Sequence, residues 1–144
     1  MAEQEEALQV LMRTPLFRGL RRRQLDRLAR RFVERSYKEG DAIVTQGKGG
    51  EGFFIIASGE AEAVHRRGDG STVVLNPLLP GDFFGELALL TDTMRTASVI
   101  AKQPTRCMVL TRWDFLGVLK EDAEMAVSVL QELAERFSRL LSTL

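Results

Sequence analysis

Residue types on which many enzymes and disulfide-bonded proteins depend are nearly missing from this chain of 144 residues. A single cysteine, Cys107, excludes an internal disulfide, and a single histidine, His65, is too few for the histidine-rich metal site of a jelly-roll enzyme. One histidine and one cysteine also make a Ser/His/Asp or Cys/His catalytic arrangement implausible. Twenty acidic residues could still supply a catalytic carboxylate pair, but no motif pairs them. We therefore expect a non-enzyme with no metal and no cofactor.

Excess charge of one sign and long apolar runs are also missing. Twenty basic residues balance twenty acidic ones, so bulk charge does not indicate a nucleic-acid partner. No apolar stretch approaches the roughly 20 residues of a membrane helix. The acidic start, residues 1–6, is not a signal peptide. We expect no nucleic-acid or membrane contact within this chain, and a cytoplasmic protein in which Cys107 is a buried, reduced thiol.

The most informative stretch runs from Gly81 to Val99, with the sequence GDFFGELALLTDTMRTASV. A turn and two aromatic residues precede Gly85. Glu86 then begins an apolar segment long enough for a short helix. A polar loop including Thr91, Asp92 and Thr93 leads to one arginine, Arg95, and to a strand-like run. One short segment therefore combines a flexible glycine, the start of a helix, an acid and a base.

These residue types suit a ligand that carries both phosphate and hydroxyl groups. Gly85 permits close approach of the backbone, and the first N–H groups of a helix attract anions. Arg95 can add a bidentate contact to a phosphate. Glu86 would repel a phosphate but can accept hydrogen bonds from hydroxyl groups, such as those of a ribose. The alternative is structural: Gly85 is a turn residue, and Glu86 and Arg95 form an ion pair.

The run Phe-Gly-Glu-Leu-Ala-Leu-Leu, a short loop and Arg-Thr-Ala-Ser-Val together resemble the phosphate-binding cassette of cyclic-nucleotide-binding domains. Relatives of this kind include the regulatory subunit of protein kinase A, the catabolite activator protein and cyclic-nucleotide-gated channels. The resemblance implies that Glu86 binds the ribose 2′-hydroxyl and Arg95 the cyclic phosphate. The ligand-binding residues that it implies are Phe84, Gly85, Glu86, Leu87, Ala88, Arg95, Thr96 and Ala97. The implied ligand is cAMP or cGMP.

Turn residues recur every 8–12 positions between residues 32 and 112 and predict about eight short strands, one of them broken at Pro77. We expect an α+β, mainly β chain: an eight-stranded, jelly-roll-like β-roll flanked by N-terminal helices and a long C-terminal helix. The predicted segments of this one domain are 1–31 (helical), 32–112 (β-roll, with the cassette at 81–99) and 113–144 (helical).

Six arginines between Arg21 and Arg31 lie mostly opposite the apolar stripe of a predicted helix. They could form an arm for nucleic acid or a solvated helix face. No aromatic residue interleaves to stack bases, so we favour the solvated face.

The last predicted helix, capped by Asp122, carries apolar residues in alternating steps of four and three: Ala126, Leu130, Leu133, Phe137, Leu140 and Leu144. This spacing favours a homodimer through residues 122–144, although the helix could instead pack only on its own β-roll. Glu132 and Glu135 are spaced to pair with the arginines four residues later. Base contacts are expected near Leu133 or Phe137, from a helix that closes as a lid or shifts at a dimer seam.

The downstream role is less defined by the residues. We expect a regulatory module of a larger protein, because the chain ends on Leu144 with no helix-turn-helix after the long helix. Thr96 follows the arginine and leaves cGMP open, while the compact domain favours cAMP. The competing hypothesis is a ligand-independent structural or dimerisation module with a degenerate cassette.

Overall fold

A computed structural model describes residues 2–49, 52–92 and 95–144 of the chain. The predicted turn residue Gly50 and the cassette loop residues Thr93 and Met94 lie outside the described residues. Helical segments come first: α1 (Ala2–Arg13), a 3₁₀ helix (Pro15–Phe17) and α2 (Arg22–Ala29). All three lie within residues 1–31, the segment that the sequence predicts to be helical. Thr14 directly follows α1, and its hydroxyl donates a hydrogen bond to the Val10 carbonyl oxygen in the last turn of that helix (2.8 Å).

Within the described residues, eight strands then follow: β1 (Val33–Tyr37), β2 (Ala42–Val44), β3 (Gly52–Ser58), β4 (Ala61–Arg66), β5 (Thr72–Leu78), β6 (Phe83–Phe84), β7 (Ser98–Ala101) and β8 (Thr105–Thr111). They form two four-stranded antiparallel sheets, ordered β1–β8–β3–β6 and β2–β7–β4–β5. This arrangement confirms the predicted β-roll.

Strand β3 separates the two cores of the molecule. Successive side chains of a strand point to opposite faces of its sheet. Phe53 and Ile55 accordingly belong to the core shared with the helices, and Phe54 and Ile56 belong to the core inside the roll. Cys107 on β8 packs inside the roll as expected, and burial raises the pKa of its thiol to about 11. The thiol is therefore protonated and unreactive near neutral pH.

Two strands differ from the sequence-based prediction. Pro77 does not break β5, which continues to Leu78 with Pro77 opposite Glu62. Because β5 is the last strand of its sheet, a residue without an N–H group is tolerated there. The two-residue strand β6 was not predicted, since two phenylalanines carry no periodicity. It pairs with Phe54 and Ile55 of β3 and so attaches the start of the cassette to the first sheet.

Two helices close the chain, α3 (Arg112–Glu121) and α4 (Ala123–Ser142). The Thr111 hydroxyl accepts a hydrogen bond from the Asp114 amide (3.2 Å) and so caps α3. The Asp122 carboxylate accepts one from the Met125 amide (3.1 Å) and caps α4 as predicted. No helix within the described residues is long and apolar enough to cross a bilayer.

Candidate ligand-binding site

One cavity of about 420 Å³ brings the predicted site residues together. Its floor is the inner face of the second sheet, from β2, β4, β5 and β7. Its rim is the cassette: a 3₁₀ helix (Glu86–Leu89), the residues just before it, and the chain entering β7. The cassette residues that line the cavity are Phe84, Gly85, Glu86, Leu87, Ala88, Arg95, Thr96 and Ala97.

Arg95 is held by the β-roll. Its Nη2 donates a hydrogen bond to the Gly52 carbonyl oxygen at the start of β3 (2.8 Å). Its guanidinium lies 5.9 Å from the ring centre of Phe54, which is stacked on Phe84 with ring centres 5.0 Å apart. A cation over an aromatic face is attracted to the ring. The guanidinium is therefore positioned by a buried strand and a pair of packed rings.

The backbone of Arg95 is fixed as well. Its N–H donates to the Lys48 carbonyl oxygen (2.8 Å), and its own carbonyl oxygen accepts from the Gly47 N–H (2.9 Å). On the next residue, the Thr96 carbonyl oxygen lies 2.7 Å from Nδ1 of His65 on β4. His65 therefore contacts the cassette backbone, whereas its sequence neighbours suggest only a surface histidine. These contacts hold the arginine end of the cassette against the turn that follows β2 and against β4.

Gly85 is required by its conformation and by its surroundings. Its φ angle is +87°, in the left-handed region that residues with a Cβ rarely adopt. A Cβ there would lie 2.5 Å from the Gly52 carbonyl oxygen and 2.6 Å from Nη1 of Arg95. The glycine thus lets the cassette backbone approach the guanidinium. The amide of Ala88, the third residue of the 3₁₀ helix, donates to the Gly85 carbonyl oxygen (3.0 Å). This amide is therefore not free to bind an anion, contrary to the expectation for the first N–H groups of a helix.

Glu86 faces the C-terminal helix. Its Oε1 accepts a hydrogen bond from Nη2 of Arg136 on α4 (2.6 Å), and both side chains are largely buried. Its Oε2 is buried and has no hydrogen-bond partner. The structural alternative, a Glu86–Arg95 ion pair, is not the pairing observed. The predicted Glu132–Arg136 pair is not formed either, because the Arg136 guanidinium reaches the cassette instead.

A second cavity, of about 620 Å³, lies between the cassette and α4. It shares Glu86 and Leu87 with the first cavity and is also lined by Leu133 and Phe137, the two predicted base contacts. Leu133 packs partly against the helical core, whereas Phe137 is 62% exposed. The two cavities therefore form a continuous surface from Arg95 to α4.

Sequence patterns missed several contacts of the site. Arg136 pairs with an acid fifty positions earlier, and Phe54 and Gly52 support an arginine about forty positions later. A periodicity within one element carries no signal for such contacts. Among residues 2–49, 52–92 and 95–144 there is also no cluster of His, Cys, Asp or Glu that could hold a metal ion.

Comparison with known proteins identifies the class to which this fold and site belong. The model of the cyclic nucleotide-binding domain family matches residues 34–122. Since this is more than half of the chain, the chain belongs to the cyclic nucleotide-binding domain family.

Two relatives of known name are similar to this chain over most of its length. The chain is 32% identical over 123 residues to the cyclic AMP receptor protein of Thermus thermophilus, covering 85% of this chain and 57% of that protein. It is 35% identical over 109 residues to the cAMP-dependent protein kinase regulatory subunit of Blastocladiella emersonii, covering 76% of this chain and 27% of that protein. The chain thus matches only part of each relative's length.

Among solved structures, the N-terminal domain of a transcriptional regulator from Streptomyces coelicolor is similar to this chain, with a TM-score of 0.81 and 26% identity. The match covers 93% of this chain and 94% of that one.

Proposed function

We propose that this chain binds cAMP between the cassette and the β-roll and transmits the occupancy of that site through α4. The observation that carries the proposal is the placement of Arg95. Its guanidinium is held by Gly52 and Phe54, lies beside the left-handed Gly85 and lines a cavity of about 420 Å³. A fixed cation beside bare backbone is suited to a phosphate.

The phosphate of the nucleotide would lie against Arg95. A guanidinium presents its donors in a planar fork that matches two phosphate oxygens. Glu86 is the first residue of the 3₁₀ helix, and its carboxylate is bonded to Arg136 on α4, so its negative charge does not have to approach the phosphate. Its buried Oε2 has an unused acceptor site, to which a ribose hydroxyl can donate. The pairing of a cation with phosphate and an acid with hydroxyl fixes the direction of the nucleotide in the site.

The base would then extend toward α4. The second cavity begins at Glu86 and Leu87 and continues to Leu133 and Phe137, so an adenine beyond the ribose would meet apolar side chains. We favour cAMP because the cyclic AMP receptor protein and the cAMP-dependent protein kinase regulatory subunit, to which the chain is similar, are both named for it. Because Thr96 lines the first cavity, cGMP is the second ligand to be compared with cAMP.

Transmission depends on the contact between Glu86 and Arg136. This ion pair joins the cassette to the last long helix, and a nucleotide on Glu86 changes the surroundings of the same carboxylate. A ligand shifts a conformational equilibrium only by its differential affinity for the two states. Here a nucleotide that contacts both Arg95 and α4 would favour the arrangement in which α4 lies on the cassette. The site would bind its ligand without chemical conversion, as regulatory domains do.

Isothermal titration calorimetry tests the proposal. We expect cAMP to bind, 5′-AMP to bind far more weakly, and Arg95→Ala to lose about 2–5 kcal/mol, or more than about 30-fold in affinity. Arg67→Ala, in the exposed hairpin after β4, is the matched control and should bind as the unmodified protein does. No heat and no change in Tm at millimolar cAMP or cGMP would contradict the proposal and favour a ligand-independent structural module.

We further propose that α4 forms a homodimer interface with a second copy of this chain. The chain would belong to a larger protein whose effector domain responds to the ligand. Leu130, Phe137, Leu140 and Leu144 are between 62% and 98% exposed. The remaining heptad positions differ, because Leu133 packs on the chain's own core and Ala126 is half-buried. Sedimentation velocity should give a dimer that Leu130→Gln weakens and Ser138→Gln, also on an exposed turn, does not. A monomer at all concentrations would contradict this part.

A further inference from the structure

We infer that Glu132 is a positioning residue for α4, and that Arg136 exchanges between Glu86 on the cassette and Glu132 on its own helix. The inference rests on the proposed function, since the nucleotide sets the balance between the two pairings. It assigns a role to a buried carboxylate that neither the cassette nor the family match involves.

Glu132 is an unusual residue for its position. It lies on the inner face of α4 with Met125 and Val129, and it is only 8% exposed. Its Oε2 is buried and has no hydrogen-bond partner. A buried carboxylate oxygen that has lost water and gained no donor destabilises the state that buries it. The charge of Glu132 therefore opposes the observed packing of α4.

Arg136 is the nearest cation along the helix. Residues four apart on an α-helix have Cβ atoms about 5–6 Å apart, and an acid before a base at this spacing is the favourable order. The guanidinium nevertheless donates to Oε1 of Glu86 at 2.6 Å. Glu86 and Glu132 thus each have one buried, unpartnered oxygen, and a single guanidinium is within the reach of both.

The two pairings belong to two positions of α4. When α4 lies on the cassette, Arg136 binds Glu86 and Glu132 is left without a donor. When α4 moves away, Arg136 pairs with Glu132 and water reaches both carboxylates. A nucleotide favours the first position, because its ribose hydroxyl donates to Glu86 and its base contacts α4. Glu132 acts in the opposite direction and keeps the unliganded protein from closing completely.

The test is a double-mutant cycle read by cAMP titration calorimetry. Glu132→Gln keeps the shape of the side chain and removes its charge, so we expect cAMP to bind about fivefold tighter or more. Glu135→Gln is the matched control, because Glu135 is exposed and has the same spacing to Arg139. It should leave the affinity unchanged. In an Arg136→Gln background, Glu132→Gln should have a smaller effect, since the competing ion pair is already lost and only the burial of the charge remains.

A purely structural role for Glu132 gives a different result. Glu132→Asp keeps the charge but shortens the side chain. If Glu132 served only to pack α4, Glu132→Asp would therefore reduce the cAMP affinity more than Glu132→Gln does. The inference is overturned if Glu132→Gln leaves the cAMP affinity unchanged, or changes it equally with and without Arg136. Failure of the unmodified protein to bind any cyclic nucleotide would instead overturn the proposed function, and this inference with it. Thermal unfolding of each variant confirms that it is folded.

Discussion

The two charged groups of the candidate site are supported by different regions of the molecule. Arg95 is held by the β-roll, through the Gly52 carbonyl oxygen and the Phe54 ring. Glu86, nine residues earlier in the cassette, is held by Arg136 of α4. The first support is part of a buried sheet, and the second is a single ion pair to a helix whose last turns are exposed.

This difference explains how one small ligand could control a helix. Local stability is highest where apolar contacts are dense and lowest where a segment has few of them. The arginine end of the site belongs to the first kind of region and the α4 end to the second. A nucleotide bound to both ends would therefore move α4 rather than the β-roll. The predictions below test that contrast.

The largest effect is expected from removing a ring of the β-roll. Phe54→Ala should lower the free energy of unfolding by about 3–5 kcal/mol, because Phe54 is 1% exposed and stacked on Phe84. Phe137→Ala on α4, where the ring is 62% exposed, should change stability little and instead weaken cAMP binding. Urea denaturation and calorimetry measure the two quantities. Similar losses of stability in both variants would remove the contrast between the two regions.

A methyl group at Gly85 should separate backbone strain from steric conflict. Gly85→Ala combines a positive φ angle with a Cβ 2.6 Å from Arg95, so cAMP binding should weaken at least about tenfold. Gly70→Ala is the matched control, since Gly70 has φ of +90° but no atom within 4 Å of the added carbon. Both variants should be strained, and only the first should lose affinity. Equal affinities in the two variants would contradict the assigned role of Gly85.

Loss of the Arg136 guanidinium should weaken the link between cassette and helix. Arg136→Gln removes a charge-assisted hydrogen bond of 2.6 Å and should reduce cAMP affinity about tenfold. It should also increase amide hydrogen exchange along α4 without affecting β3. Glu135→Gln, at the neighbouring exposed position of α4, is the control. Unchanged exchange in α4 would mean that the ion pair does not hold the helix.

The smallest effect is expected at the helix cap. The Met125 amide, which donates to the Asp122 carboxylate, lowers the pKa of Asp122 below its ordinary value of 3.8, and the Gln24 side chain, Arg23 and Arg27 act in the same direction. A carboxylate whose pKa is lowered by folding stabilises the protein above its unfolded pKa and loses this contribution as the pH falls through its folded pKa.

Asp122→Ala should therefore lower Tm by about 2–4 °C near neutral pH. The difference from the unmodified protein should shrink when the pH falls below 3.8. Asp69→Ala serves as the control, because Ser71 lowers the pKa of Asp69 within an exposed hairpin far from α4 along the chain. A pH-independent Tm difference for Asp122→Ala would contradict the assignment.

Local patterns predicted most of the fold and the cassette residues of the candidate site, but not the contacts that hold those residues in place. Turn spacing and alternating side chains predicted the β-roll, and Asp122 and the apolar steps after it predicted α4, because these signals act within a few residues. Recognition of the cassette depended on a contiguous motif. The pairing of Arg136 with Glu86 could not be predicted, since helical spacing offered Glu132 as an equally good partner. Only the packing of α4 on the cassette decides between the two acids.

The most direct test of the central proposal is a crystal structure of the chain grown with cAMP in excess. We predict a phosphate oxygen accepting a hydrogen bond from the Arg95 guanidinium, a ribose hydroxyl donating to Glu86, and the base between Leu87 and α4. A nucleotide that contacts Arg95 while Glu86 and α4 are untouched would contradict the coupling of the two regions. Arg95 turned to solvent, with cAMP bound elsewhere or not at all, would contradict the site itself.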